Sequence, residues 1–269
     1  MREKGKNILD EIIKSKRKEV EEQKSLYPKK LLEKSVYFAS DSVSLKTYLK
    51  RDDLVGIIAE IKRKSPSQGI INEYADIEKT SIGYMQAGAS ALSILTDTEY
   101  FGGSKDDLSI ARKFNYCPIL RKDFVIDEYQ VVEAKSIGAD AILLIAAVLE
   151  VNEAKELARF SKSLGLEVLL EVRDENEIAQ YIDESIDIVG VNNRNLQSFE
   201  VTVETSMSLA ERIPKNITKI SESGISDPST IIDLKHCGYD GFLIGEYFMQ
   251  TSRPHITCSD FIKKLKELS

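Results

Sequence analysis

The amino-acid sequence predicts an α/β protein built on one parallel sheet of eight strands that closes into a barrel. From residue 55 onward, short apolar runs alternate with longer segments of helical periodicity. Successive runs end 21 to 36 residues apart, which leaves room for a helix and two loops each time. The runs are apolar on both faces, as is typical of buried parallel strands. Because no linker or change in composition divides them, we expect residues 51–269 to form a single (β/α)8 TIM barrel.

The strands and several helix ends of this barrel can be assigned in chain order. The predicted strands are Val55–Ile61, Ala89–Thr96, Cys117–Lys122, Ala139–Ile145, Glu167–Val172, Ile186–Asn192, Ile217–Glu222 and Gly241–Gly245. Capping sequences that begin at Ser104, Asp174 and Ser226 indicate helix starts, and Gly88, Gly138 and Gly165 indicate helix ends. The alternative is a doubly wound open sheet. It is weakened because no G-x-G-x-x-G follows the first strand and the chain has no Walker A sequence.

Residues 1–50 differ from the rest and predict an N-terminal helical extension. They carry thirteen Lys and Arg against eight Asp and Glu, a charge of +5, whereas residues 51–269 carry −12. Apolar residues recur at helical spacing twice, at Ile8, Leu9, Ile12 and Ile13 and again at Leu31, Leu32 and Val36. We therefore expect two amphipathic helices packed on the barrel within one overall domain. The basic cluster Lys14, Lys16, Arg17 and Lys18 is interpreted as a solvated helix face rather than a binding site for an anion or a membrane.

Charge and composition disfavour several classes of function. A net charge of −7 offers no basic surplus to a phosphate backbone, so we expect no nucleic-acid partner. The longest apolar run, Ala141–Leu149, has nine residues and is too short to cross a bilayer. Three scattered cysteines fit a reducing compartment, and neither they nor the two histidines have the spacing of a metal site or a nucleophile pair. The sequence therefore predicts a cytoplasmic protein that uses no metal and no membrane.

Charged residues end several of the predicted strands, where the active site of such a barrel forms. Glu60 and Lys62 close the first strand and share a face because they are two residues apart. Lys122 ends the third strand and Glu171 the fifth, while Asn192 and Arg194 follow the sixth. Partial burial should shift the pKa values of these amines and carboxylates towards neutrality, as acid–base catalysis requires. A simple ion pair between Glu60 and Lys62 is the alternative interpretation of that pair.

Two loops have the composition of an anion site. Ser221–Ile225 follows the seventh strand, and Leu243–Glu246 follows the eighth. Their glycines allow backbone N–H groups to approach a ligand, and the loops after these two strands commonly bind phosphate in this fold. We therefore expect a small phosphorylated substrate.

Six motifs in order give the chain a resemblance to indole-3-glycerol phosphate synthases. They are Ile58–Ser67, Ala91–Thr96, Phe101–Ser104, Leu120–Phe124, Val191–Leu196 and Ser221–Ile225. The resemblance covers essentially the whole chain, including the N-terminal extension. It implies a carboxy-lyase that cyclises 1-(2-carboxyphenylamino)-1-deoxyribulose 5-phosphate to indole-3-glycerol phosphate in tryptophan biosynthesis. Carbon dioxide and water would be released, with no cofactor.

The same resemblance implies a role for each matched residue. Lys122 resembles the general acid that protonates the substrate carbonyl, and Glu171 resembles its partner in dehydration. Lys62 resembles the lysine near the substrate carboxylate and phosphate, for which a second acid role is proposed. Glu60 would orient the amines, and Asn192 and Ser223 would complete the polar ring. The implied substrate-binding residues are Ser65, Phe101, Phe124, Leu143, Arg194, Leu196, Gly224, Leu243, Gly245 and Glu246. The chain departs from the family pattern at Tyr247–Phe248, where a small residue and leucine are usual.

Three alternatives come from other functions. A phosphoribosyl isomerase would share the phosphate site but typically uses an Asp/Cys or Asp/Asp pair. A non-catalytic binding subunit would dock through the basic N-terminal helices, and a retaining glycosidase would use two carboxylates but no lysines. For assembly, we expect a monomer or a weak homodimer.

Overall fold

The computed structural model describes residues 8–195 and 199–268, and its centre is a closed barrel of eight parallel strands. The barrel strands are β1 (Ile57–Ile61), β4 (Ala91–Leu95), β5 (Ile119–Lys122), β6 (Ala141–Ile145), β7 (Glu167–Val172), β8 (Ile188–Asn192), β9 (Thr218–Glu222) and β10 (Gly241–Ile244). Each strand pairs with its neighbours in the chain, and β1 closes the ring against β10, with Ile57 opposite Phe242. The predicted fold is confirmed, with strand starts up to two residues later than expected.

Helices follow the barrel strands, and two short elements lie at the rim. The helices of the barrel layer are α4 (Ile77–Ala87), α5 (Lys105–Phe114), α6 (Glu128–Ser136), α7 (Val151–Ser163), α8 (Glu175–Tyr181), α9 (Glu204–Leu209), α10 (Pro228–His236) and α12 (Pro254–Leu268). Strands β2 (Lys64–Ser65) and β3 (Gly69–Ile70) form an antiparallel hairpin after β1, and the four-residue α11 (Glu246–Met249) follows β10. Ser104 and Asp174 cap α5 and α8 as predicted, whereas Asp227, not Ser226, caps α10.

Two apolar clusters stabilise this architecture. The larger fills the space between the strands and the surrounding helices. The smaller fills the barrel interior, where Ile58, Leu120, Leu169 and Ile220 are fully buried. It continues to the mouth of the barrel and includes Leu9 and Ile12 of the first helix. The interior is therefore a packed core with a cavity at its upper end.

The first predicted amphipathic helix forms, and the second does not. Helix α1 (Ile8–Leu26) buries Leu9 and Ile12, as the apolar stripe predicts. The next helix, α2 (Lys29–Leu32), has only four residues, and the prediction of an apolar stripe there is wrong because Leu31 is 51% and Val36 82% exposed. This stretch is held instead by polar turns, in which Ser35 Oγ donates to the Ser136 carbonyl oxygen at 2.5 Å. Helix α3 (Leu45–Leu49) then turns two leucines into the barrel core.

The basic cluster on α1 is not uniformly solvated. Lys14, Arg17 and Lys18 are exposed, but Lys16 is 1% exposed. Its Nζ lies 2.9 Å from Asp123 and 3.0 Å from Asp97, two carboxylates that follow β5 and β4. The interpretation of Lys16 as a solvated side chain is therefore wrong, since its ion pairs fasten α1 to the barrel rim. In the described part of the chain no helix is long and apolar enough to cross a membrane.

Candidate active site

The C-terminal ends of the barrel strands surround a cavity of about 490 Å³. All eight barrel strands contribute to its wall, and α1 contributes Ile8, Leu9 and Ile12. Fifteen of the sixteen residues that the sequence predicts for the site line it: Glu60, Lys62, Ser65, Phe101, Lys122, Phe124, Leu143, Glu171, Asn192, Arg194, Ser223, Gly224, Leu243, Gly245 and Glu246. The sixteenth, Leu196, lies outside the described residues. The structure thus brings the predicted residues into one place, and their roles remain predictions.

Four ionisable side chains from alternate strands form the floor of the cavity. They are Glu60 on β1, Lys122 on β5, Glu171 on β7 and Glu222 on β9. Each stands two residues after one of the four buried apolar side chains of the barrel core, so all four point inward. Alternate strands supply the side chains of one layer in this fold. These four groups, the charged layer, therefore replace the topmost apolar layer of the barrel.

Lys122 is held between two carboxylates of the charged layer. Its Nζ lies 2.6 Å from Glu222 Oε2 and 3.0 Å from Glu171 Oε2. Burial by itself would lower the pKa of Lys122, but the attraction of Glu222, Glu171 and Glu60 outweighs it and raises the pKa above its ordinary value. The expectation that an apolar mouth lowers the pKa of this lysine towards neutrality is wrong. The reason is that its surroundings are anionic, so Lys122 keeps its proton at neutral pH.

Glu222 is the member of the charged layer that the sequence interpretation missed. Burial raises its pKa to about 7, since the nearby Glu171 and Glu60 oppose the favourable pairing with Lys122. Its Oε1 is buried and has no hydrogen-bond partner among the described residues. The available signal was its place at the inward-facing end of β9, two residues after Ile220. The neighbouring serine and glycine drew attention to phosphate binding instead.

Glu60 links the remaining lysine to the charged layer. Its Oε1 lies 2.8 Å from Lys62 Nζ, and Ser93 Oγ donates to its Oε2 at 3.3 Å. Burial would raise the pKa of Glu60, but Lys62 and Lys122 lower it below its ordinary value. Glu60 is therefore an anion that faces both amines. The two residues do pair with each other, as the alternative interpretation expected, but Glu60 also belongs to the wider charged layer.

Asn192 fixes the orientation of Glu171. Its Nδ2 donates to Glu171 Oε1 at 3.1 Å, while its Oδ1 accepts from the backbone N–H of Arg194 at 2.9 Å. One oxygen of Glu171 therefore faces Asn192, and the other faces Lys122. These two contacts hold the plane of the Glu171 carboxylate in a fixed orientation at the cavity floor.

The phosphate-binding end of the cavity that the sequence predicts is formed by the C-terminal ends of β9 and β10. Ser223 and Gly224 adopt left-handed conformations with φ of 71° and 78°, which turns the backbone sharply at the cavity edge. A Cβ at Gly245 would lie 2.5 Å from Glu60 Oε1, so only glycine leaves the end of β10 open there. Arg194 pairs with Glu246 at 3.0 Å on the same side. At this corner a ligand can therefore approach the backbone closely, and one guanidinium group lies beside it.

The remaining wall suits a flat aromatic group. The rings of Phe101 and Phe124 have centroids 5.9 Å apart at 41° to each other, and Leu143 and Leu243 belong to the same apolar cluster. Ser65 lies on the hairpin strand β2 at the rim, where its Oγ accepts from the backbone N–H of Gln68 at 3.2 Å. Tyr247, the departure from the family pattern, packs its ring edge-on against Phe261 at 5.7 Å and also lines the cavity.

Fold and site together define a (β/α)8-barrel enzyme of the acid–base type, whose cavity has an apolar wall at one end and the sharply turned ends of β9 and β10 at the other. Residues 8–195 and 199–268 contain no group of three His, Cys, Asp or Glu side chains suited to a metal ion.

Comparisons with known proteins identify the family. A family model described as indole-3-glycerol phosphate synthase matches residues 9–261. An indole-3-glycerol phosphate synthase of Bacteroides thetaiotaomicron is 48% identical over 97% of this chain and 100% of its own length. Those of Thermoanaerobacter pseudethanolicus and Campylobacter fetus are 41% and 43% identical, over 96% and 90% of this chain and 98% and 94% of theirs. The chain belongs to the indole-3-glycerol phosphate synthase family.

Proposed function

We propose that the charged layer catalyses the family's reaction, the conversion of 1-(2-carboxyphenylamino)-1-deoxyribulose 5-phosphate to indole-3-glycerol phosphate, carbon dioxide and water. The observation that carries the assignment is Lys122, a partly buried ammonium group 2.6 Å from Glu222 and 3.0 Å from Glu171. The reaction needs a proton donor and a proton acceptor in an enclosed apolar space. The charged layer supplies both at the floor of a cavity that can enclose the substrate.

The shape and charge of the cavity orient the substrate. We place its aromatic ring against the wall formed by Phe101 and Phe124, under Leu9 and Ile12 of α1. Its phosphate then lies at the corner formed by Ser223, Gly224 and Gly245, with Arg194 beside it and Glu246 holding that guanidinium. Its carboxylate faces Lys62, which Glu60 holds at 2.8 Å. Ser65, Leu143 and Leu243 complete the enclosure. This orientation puts the ketone carbon above the charged layer.

Ring closure joins the ring carbon that bears the carboxylate to the ketone carbon. The ketone oxygen takes a proton from Lys122 as the new carbon–carbon bond forms, so the hydroxyl group is created without a free alkoxide. The bond to the carboxylate then breaks, carbon dioxide leaves, and the electron pair restores the aromatic ring. The high proton affinity of Lys122 keeps it in the donor form before this step.

Dehydration completes the indole ring. The new hydroxyl group leaves as water with a proton from an amine, and the neighbouring carbon that carries the nitrogen loses a proton to Glu171. Asn192 holds Glu171 in the position to accept it. Glu222, with a pKa of about 7, exchanges protons with Lys122 across their 2.6 Å contact and restores its charge between the two steps. Across the two steps the layer supplies two protons and takes back one. One proton from solvent therefore returns the layer to its starting state, which matches the overall reaction because the substrate carboxylate leaves as neutral carbon dioxide.

An indole-fluorescence assay tests this proposal directly. Purified protein with the carboxyphenylamino substrate, in buffer with EDTA and without nucleotide, should develop the fluorescence of an indole product. Tight binding without turnover would favour the non-catalytic alternative. Loss of activity in EDTA that a divalent metal restores would contradict a reaction carried by side chains alone.

We also propose the setting in which the enzyme works. Residues 1–50 act as an extension that encloses the substrate above a barrel of residues 51–269, and the whole is one domain. The ion pairs of Lys16 with Asp97 and Asp123 support this arrangement, because they attach α1 to the rim of the barrel. The enzyme is a cytoplasmic monomer or weak homodimer without a nucleic-acid partner, in keeping with its net charge of −7.

A further inference from the structure

Gly190 lies in the wall of the barrel directly beside the charged layer. Ile188, Gly190 and Asn192 alternate along β8 and share its inward face. Gly190 is paired in register with Glu171 of β7 on one side and with Ile220 of β9 on the other. It is therefore the one inward position of β8 that projects no side chain into the barrel.

The space left by Gly190 is filled by Glu222. A Cβ built on Gly190 would lie 3.3 Å from Glu222 Cδ and would collide outright with Glu222 Oε1. It would also lie 3.1 Å from Leu169 Cδ1, a contact that a small shift of that methyl group relieves. The collision with the carboxylate has no such relief, because Oε2 of the same group is fixed 2.6 Å from Lys122. The carboxylate thus rests against bare backbone.

The position of Glu222 beside Gly190 explains why one of its carboxylate oxygens has no hydrogen-bond donor nearby among the described residues. Its Oε1 faces Gly190 and has no hydrogen-bond partner within the described part of the chain, whereas Oε2 binds Lys122. The charged groups that face it are Lys122 from β5, Glu171 from β7 and Glu60 from β1. A carboxylate oxygen kept from water and from donors favours the protonated form, and burial raises the pKa of Glu222 to about 7.

We propose that Gly190 is a positioning residue for the reaction: its missing side chain lets the Glu222 carboxylate sink beside β8 and contact Lys122. The proposal rests on the proton-exchange role of Glu222 under Proposed function. A methyl group at position 190 would push the carboxylate out of this space, break its contact with Lys122 and return its pKa towards the ordinary value. Gly245 accommodates Glu60 in a similar way, at 2.5 Å from Oε1, but it also borders the phosphate corner. Gly190 has no such second role and gives the cleaner test.

A double-mutant cycle tests the proposal. Gly190→Ala should lower kcat at least tenfold and change KM less than threefold, because most of the groups that contact the substrate lie on other strands and loops. In the Glu222→Gln background the same substitution should change kcat less than twofold, since the relay is already lost. Glu222→Gln should remove one limb of the kcat–pH profile. In Gly190→Ala that limb should remain but lie at least half a pH unit lower. If Gly190→Ala lowered kcat by the same factor in the parent enzyme and in the Glu222→Gln variant, the proposal would be overturned.

Gly241→Ala is the matched control for crowding inside the barrel. Its Cβ would lie 2.6 Å from Ile220 Cγ2 and 3.1 Å from the Leu49 methyl groups, all apolar. It should lower the melting temperature but leave the Glu222 limb of the pH profile in place. A shift of that limb equal to the shift in Gly190→Ala would overturn the proposal, because general crowding would then explain both.

A crystal structure of Gly190→Ala tests the same claim without turnover. We expect Glu222 Oε2 beyond hydrogen-bond distance of Lys122 Nζ, and an unmoved carboxylate would overturn the proposal. If Gly190→Ala does not fold, it should fold in the Glu222→Ala background, where the new methyl group has room, and failure there would also overturn it. An inactive wild-type enzyme would instead refute the proposed function and leave this structural result to stand by itself.

Discussion

Replacing Lys122 with alanine separates the role of its ammonium group from those of the other charged residues. The substitution removes the cation that lies 2.6 Å from Glu222 and 3.0 Å from Glu171. General acid catalysis is typically worth about 10²–10⁴-fold, which is about 3–5 kcal/mol of barrier. We therefore expect kcat to fall by at least about 100-fold. KM should change much less, because the phosphate corner belongs to β9 and β10.

The same substitution has a predictable effect on stability. Removing one partner of a buried ion pair typically costs about 3–5 kcal/mol if the other charge remains. Glu222 avoids part of this cost by taking up a proton, because its pKa of about 7 rises further once Lys122 is gone. Lys122→Ala should therefore fold, with a stability loss that is larger at pH 8 than at pH 6. Circular dichroism melts at the two pH values measure it.

Steady-state kinetics by indole fluorescence measure the catalytic effect. Lys64→Ala is the control, because Lys64 lies on the rim hairpin, where its Nζ donates to the Glu99 carbonyl oxygen at 2.5 Å. It should keep kcat within about twofold of the parent, well under 1 kcal/mol. If Lys122→Ala kept kcat within about tenfold, a loss under about 1.4 kcal/mol, the general-acid role would pass to Lys62.

Three further predictions concern the other parts of the site. Glu222→Gln should change the pH dependence of stability: a carboxyl whose pKa is about 7 in the folded state and about 4.5 unfolded stabilises the fold fully below pH 4.5 and loses that contribution as the pH rises through 7. The variant should thus gain about 1–3 kcal/mol relative to the parent between pH 5 and pH 8 in urea denaturation, and a constant difference would contradict the assigned pKa. Lys16→Met should raise KM and lower stability by about 3–5 kcal/mol, because Asp97 and Asp123 lose their buried cation; exposed Lys18→Met is the control, and equal effects would refute the anchoring of α1. Gly224→Ala should raise KM by about 10-fold, or about 1.4 kcal/mol, because φ is 78° at this position and the Cβ would lie 2.5 Å from Val201. Inorganic phosphate should compete with substrate. If it did not, the phosphate site would have to be assigned to another part of the cavity.

Strand periodicity explains why most of the site could be predicted from the sequence. Residues two apart on a strand share a face, so Glu60 with Lys62, and Lys122 with Leu120, could be assigned to the barrel interior before any coordinates. The closed fold then brings these strand ends together. The resemblance to a known family supplied the roles, which the residues alone left open among several acid–base reactions.

Contacts across the barrel could not be predicted in this way. The pKa of Lys122 depends on Glu222, a hundred residues later in the chain, and the sequence interpretation assigned that loop to phosphate alone. Lys16 is surrounded by exposed basic residues on α1, so its burial depends on Asp97 and Asp123 from two other loops. The apolar stripe predicted at Leu31 and Val36 fails for the same reason, because the folded barrel leaves both side chains largely exposed.

A crystal structure with an unreactive analogue, in which the substrate ketone is reduced to an alcohol, tests the central claim most directly. That hydroxyl group marks the oxygen that receives the proton during ring closure. The account predicts Lys122 Nζ within about 3.2 Å of this hydroxyl, the aromatic ring against Phe101 and Phe124, and the phosphate at Gly224 and Gly245. A hydroxyl group bound to Lys62, with Lys122 still enclosed by Glu171 and Glu222 and out of reach of the analogue, would contradict it.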